Sequence, residues 1–169
     1  MKTLKAYIIL FIATVAIAKA QQFTKAELQV SGLTCSLCAK TTEKSLKALP
    51  FVSEIKPDLM RNIYVITFKN DVPVSFDEIS KKVKNSGFFV NYLKTTVDFN
   101  STKVADNSFT VGADTYKILT TDKALTGPVS LTIVDKGFVP NSVSKKYMGK
   151  VIAETPATTT GRVYHVAAI

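Results

Sequence analysis

The sequence predicts an α+β protein in two unequal parts. Three observations predict it. Between residues 24 and 94, short runs of strand character bracket two helical stretches. The only cysteines, Cys35 and Cys38, sit where the first strand gives way to the first helix. After a polar stretch at 95–108, the chain changes to alternating runs punctuated by glycine.

The elements follow in order. Ala26-Glu27-Leu28-Gln29-Val30 alternates apolar and polar, as a half-buried strand must. A loop carries the cysteines. Ala39 to Leu49 is rich in Lys, Glu, Ala and Leu and predicts a helix, stopped by Pro50. Val52 to Leu59 reads as a strand. Pro57 within it has no N–H for a ladder, which makes it an edge strand. Met60-Arg61-Asn62 turns the chain into Ile63–Phe68, a run of β-branched and aromatic residues. Ser75-Phe76-Asp77-Glu78 is a capping box. Phe76, Ile79 and Val83 then recur at helical spacing, and Gly87 supplies the stop. Phe88 to Leu93 is a last strand. The order is βαββαβ over residues 24–94, the ferredoxin-like arrangement.

Residues 95–108 read as a linker, and Asn100-Ser101-Thr102 within it fits the N-glycosylation pattern. Over 109–169, Phe109–Val111, Tyr116–Ile118, Val129–Ile133 and Val163–Val166 alternate, and Asn141–Met148 follows Pro140 as a short helix. The expectation is a small, separately folded, mostly-β domain, with an OB-like barrel as the candidate form.

Residues 1–20 read as a signal peptide. Lys2 and Lys5 precede an apolar run from Ala6 to Ala18, too short for a membrane span, and Ala18-Lys19-Ala20 is a small-x-small cleavage site. The expected product starts at Gln21, is exported to a periplasm or secreted, and makes no stable membrane insertion. Loss of Lys2, Lys5 and Lys19 takes the formal charge from +9 to +6. The remaining lysines are scattered, which does not make a nucleic-acid surface.

The cysteine pair limits the chemistry. Two thiols at this spacing form a redox dithiol or hold a soft metal ion. An iron–sulfur cluster needs four ligands. Ala39 replaces the histidine of a c-type haem site. A closed zinc site needs two further ligands. His165, the sole histidine, lies in an alternating strand and reads as structural, with a weak second copper site at His165 and Met148 as the rival. With one histidine and no nucleophile elbow or glycine-rich phosphate loop, the sequence predicts a binding protein and not an enzyme.

The motif Gly32-Leu33-Thr34-Cys35-Ser36-Leu37-Cys38, the element order and the late Gly87-Phe88 together resemble the heavy-metal-associated domain. That family is found in copper chaperones, metal-transporting ATPases and periplasmic mercury-binding proteins. The resemblance covers residues 25–93. It implies Cys35 and Cys38 as metal ligands, Cu(I) as the leading cargo, and a transient protein partner that gives or takes the ion. Hg(II), Ag(I) and Zn(II) also bind two thiolates; Thr34, where a carboxylate would serve zinc, weighs against the last. Leu33 stands where the family has methionine, Thr42 where it prefers an aliphatic residue, Phe51 where it prefers glycine, and Phe88 beside the metal loop. Two alternatives remain: a thiol–disulfide oxidoreductase, and a metal-free interaction module with a structural disulfide.

Overall fold

The computed structural model describes residues 23–70, 72–121, 125–149, 151 and 161–169. The expected leader, residues 1–20, lies outside the described residues. Among those described, no helix is long and apolar enough to cross a membrane.

The elements are β1 (Lys25–Ser31), α1 (Ser36–Lys47), β2 (Val52–Asp58), β3 (Ile63–Phe68), α2 (Phe76–Asn85), β4 (Phe89–Asp98), β5 (Ser108–Val111), β6 (Asp114–Thr121), β7 (Pro128–Ile133), α3 (Asn141–Met148) and β8 (Val163–Ala168). The first six form the ferredoxin-like βαββαβ unit, with β1 central and antiparallel to both β3 and β4. β2 is the outer strand, where Pro57 is tolerated. The serine half of the α2 capping box is present: Ser75 Oγ accepts from the Glu78 N–H at 3.3 Å, while the Glu78 carboxylate pairs with Lys81. Gly87 follows the helix at φ 86°, a conformation that glycine adopts without steric cost.

Beyond residue 94 the structure corrects the sequence reading. β4 does not stop at Leu93 but runs to Asp98, so the expected linker begins inside a strand. Its outer edge pairs with β7, from Lys94 opposite Thr132 to Asp98 opposite Pro128. One eight-stranded sheet results, in the order β2-β3-β1-β4-β7-β8-β6-β5. The C-terminal strands therefore extend the first unit's sheet and do not close as an OB-like barrel. The physical reason is the unpaired edge of β4: its N–H and C=O groups need partners, and β7 supplies them.

The core is shared in the same way. Phe76 of α2 is fully buried and meets rings from both parts. Its centroid lies 4.9 Å from Phe23, 6.2 Å from Phe68, 6.4 Å from Tyr116 and 5.9 Å from Tyr164. Phe109, Tyr116 and Tyr164 stack in succession at 5.1 and 5.2 Å across β5, β6 and β8. Ser80, buried on the same helix, donates to the Gly137 carbonyl at 2.8 Å. Asp77 accepts from Tyr164 Oη and Arg162 Nε, each at 3.2 Å. α2 thus packs against both parts. On the opposite face of the C-terminal strands, Val143 and Tyr147 of α3 cover Val134 and Ala167.

Burial of phenols predicts an alkaline limit to stability. Desolvation, with a lesser push from Glu43, raises the Tyr64 phenol to about 12. Desolvation also raises Tyr116 and Tyr164 above the ordinary phenol range, with nearby acidic and phenolic groups adding to it. Below pH 10 both folded and unfolded chains keep these phenols neutral, so the stability is fully present. As pH rises past 10, the unfolded chain ionises first and stability falls through pH 12 and beyond. Urea midpoints measured from about pH 8 to 12 should drop steeply only above about pH 10. A flat profile there contradicts the burial of these rings.

Candidate metal centre

The cysteine loop is built by the end of β1 and the start of α1. Gly32 turns the chain at φ 92°. A Cβ at that position would lie 3.4 Å from Phe88 Cδ1, so the ring of Phe88 packs directly on the loop. Leu33 is buried and anchors the loop in the core, as expected for the residue standing in place of methionine. Cys35 is the N-cap of α1, with extended backbone at φ −133° and ψ 147°. Its Sγ accepts from the Cys38 N–H at 3.1 Å, and the Ala39 N–H reaches the Cys35 carbonyl at 3.1 Å. Both sulfurs therefore sit at a helix N-terminus with no acidic residue in its first turn. That is where unpaired amides and the helix dipole favour a thiolate over a thiol.

Cys35 is exposed, and half-buried Cys38 packs against the main core. In this structure they form a disulfide, with Cα atoms 5.3 Å apart. The site is thus in its oxidised form; reduction frees both sulfurs on one helix turn. Among the described residues no group of three or more His, Cys, Asp or Glu side chains gathers to hold a metal. The donor set is two soft sulfurs on an open face. It fits a low-coordinate soft ion and offers no closed tetrahedral zinc shell.

Two supports escaped the sequence reading. Tyr64, buried on β3, donates from Oη to the Ala39 carbonyl at 2.9 Å and fixes the first turn of α1. Thr42 is fully buried, and its hydroxyl donates to the Cys38 carbonyl at 3.0 Å. That bond satisfies a polar side chain in an apolar helix face. Phe51 fills core space against Phe68, at a ring separation of 6.1 Å. The β-branched and aromatic run around Tyr64 signalled a strand; nothing in it signalled a partner.

His165 is structural here. Its Nδ1 lies 2.8 Å from Asp135 Oδ1, and its backbone N–H donates to Asp135 Oδ2 at 2.8 Å. The imidazole and carboxylate are only 14% and 8% exposed. The pair ties β8 to the turn after β7. Asp135→Ala leaves both donors without their partner and should cost about 2–4 kcal/mol. Asp135→Asn should cost less. The thermal midpoint reads the difference; equal midpoints for the alanine variant and wild type would remove the anchoring role.

The fold and the loop define a class. Residues 27–89 match the heavy-metal-associated domain family. The matched span is under half of the chain, and the strands after β4 lie outside it. The chain is similar to the probable copper-transporting ATPase HMA5 of Arabidopsis thaliana, at 29% identity over 82 residues. The alignment takes in 48% of this chain and only 8% of that ATPase. Among solved structures, the yeast copper transporter domain Ccc2a, studied in apo and Cu(I)-loaded states, is 32% identical. It aligns over 38% of this chain and 88% of its own, with a TM-score of 0.35. A copper form of a CopA variant from Bacillus subtilis is 27% identical over 42% of this chain and 92% of its own, with a TM-score of 0.36.

Proposed function

We propose that the protein is an exported carrier or buffer of Cu(I), which the reduced thiolates of Cys35 and Cys38 hold as a two-sulfur complex. The observation that carries this reading is the pair of sulfurs on the N-cap and first turn of α1, one exposed and one backed by the core. A matched family of heavy-metal-associated domains supports it, as does a relative whose name specifies copper. Cu(I) accepts two soft ligands, and an open shell lets a partner's thiolates attack so that the ion can be passed on. Loading needs the dithiol: a thiol reductant supplies two electrons and two protons to the disulfide, and Cu(I) displaces the protons on binding. Phe88 contributes an apolar cover over the loop. The leader-like character of residues 1–20 supports export, with cleavage near Ala20.

Titration of the reduced chain with Cu(I) against a competing chelator tests the reading. One tight equivalent is expected, and the double variant Cys35→Ser/Cys38→Ser should lose it by at least about three orders of magnitude. Undiminished affinity in that variant would end the proposal. Parallel titrations with Ag(I), Hg(II) and Zn(II) rank the cargo.

Two competing readings remain: a thiol–disulfide oxidoreductase with exposed Cys35 as the attacking thiol, and a metal-free module with a structural disulfide. Insulin reduction separates the oxidoreductase from the carrier. Turnover that needs both cysteines, together with weak Cu(I) binding, would select the oxidoreductase.

A further inference from the structure

We propose that a cleft beside the cysteine loop docks a segment of a partner protein bearing carboxylates next to an apolar side chain, with the C-terminal half building one wall. This rests on the carrier reading only for the partner's reason to approach.

The cleft has a volume of about 480 Å³ and lies between Ser31, Phe89 and Lys84 on one side and the Lys136–Asn141 turn on the other. Phe89 pairs with Ser31, the residue before Gly32, so the cleft opens directly beside the metal loop. Its ring is 71% exposed, and Leu37, between the two cysteines, is 73% exposed. Phe89 thus offers the cleft an exposed apolar side chain, and Leu37 exposes a second on the cysteine loop.

The charge is one-sided. Among the described residues, Lys84 and Lys136 are the only charged ones lining the cleft, both are exposed, and neither has an ion-pair partner. The wall continues into the start of α3, where Pro140 is the N-cap without a side-chain hydrogen bond and the first turn holds no acid. The positive helix end therefore adds to the two ammonium groups. An apolar centre ringed by positive charge complements a segment of opposite charge and repels a basic one. The wall at 136–141 lies outside the matched family span, which gives the C-terminal half a role at the site.

The test uses the full reduced chain after its leader, labelled with ¹⁵N. The probe is a dye-labelled decapeptide of alternating Glu and Leu, with a Lys/Leu peptide as its counterpart. Anisotropy should report binding of the acidic peptide alone. Amide shifts should gather at Ser31, Phe89 and 136–141. Lys84→Glu/Lys136→Glu should weaken binding at least about tenfold, as should Phe89→Ser, while Cu(I) affinity stays unchanged. If the double variant fails to fold, Lys136→Glu alone carries the charge test. Equal binding of both peptides, shifts elsewhere, or unaltered affinity in the variants would overturn the proposal. So would self-association abolished by Phe89→Ser, which assigns the face to a second copy, or binding to phosphatidylglycerol vesicles lost with the two lysines, which assigns it to a membrane. Absence of Cu(I) binding in the wild type sinks the carrier reading and leaves the peptide result to judge the cleft.

Discussion

A chain ended at Leu93 should not fold cooperatively, although it contains every residue of the cysteine motif. The cut removes residues 94–98 of β4 and the whole of β7, and with them the ladder that joins the two parts of the sheet. It also strips Tyr116, Phe138 and Tyr164 from the core. Phe76 and Phe23 would then face water on the side those rings cover. Each large apolar side chain so exposed costs about 1.5–3 kcal/mol, and together they remove a large share of the stability of an ordinary domain, about 5–15 kcal/mol. The expected result is a truncated chain without a sharp thermal transition, and with Cu(I) bound only through an unstructured dithiol. A truncated chain that melts sharply, within about 5 °C of the full protein, would show the two parts to be thermodynamically separate.

Phe76→Ala should be the most damaging single core substitution tested in the intact chain. The side chain is fully buried and has aromatic neighbours from β1, β3, β6 and β8 or their flanks. Deletion of such a ring costs about 3–5 kcal/mol, part from lost transfer energy and part from the cavity left behind. For a chain of this size that lowers the thermal midpoint by roughly 10 °C. Amide exchange should quicken together in β3 and in β8, because both line the same cavity. Phe89→Ala, at an exposed position, should change stability by no more than about 0.5 kcal/mol. Faster exchange confined to residues before 94 would contradict a shared core.

The local rules of the chain made the first unit legible. Period-two runs, Pro50 and Pro57, the Ser75 cap and Gly87 each act over a few residues, and each element they mark is present. The cysteine pair was legible for the same reason: its spacing and the helix that follows set the sulfurs' chemistry without help from distant residues. The later strands were also visible as strands, and α3 spans Asn141–Met148 as expected.

What they pair with was not visible. Alternation tells which side of a strand is apolar but not which edge it will meet. Only the folded chain brings β7 against β4, places Tyr116 and Tyr164 over Phe76, and closes Tyr64 onto a carbonyl of α1. Most of those contacts join distant parts of the chain, and polar groups that one segment leaves open are satisfied by another far along it. The sequence by itself determined the pair of sulfurs at the head of the first helix and the ferredoxin-like order around them. The tertiary structure decided that the rest of the chain shares that unit's sheet and core, because the open edge of β4 and the apolar face of α2 had to be covered.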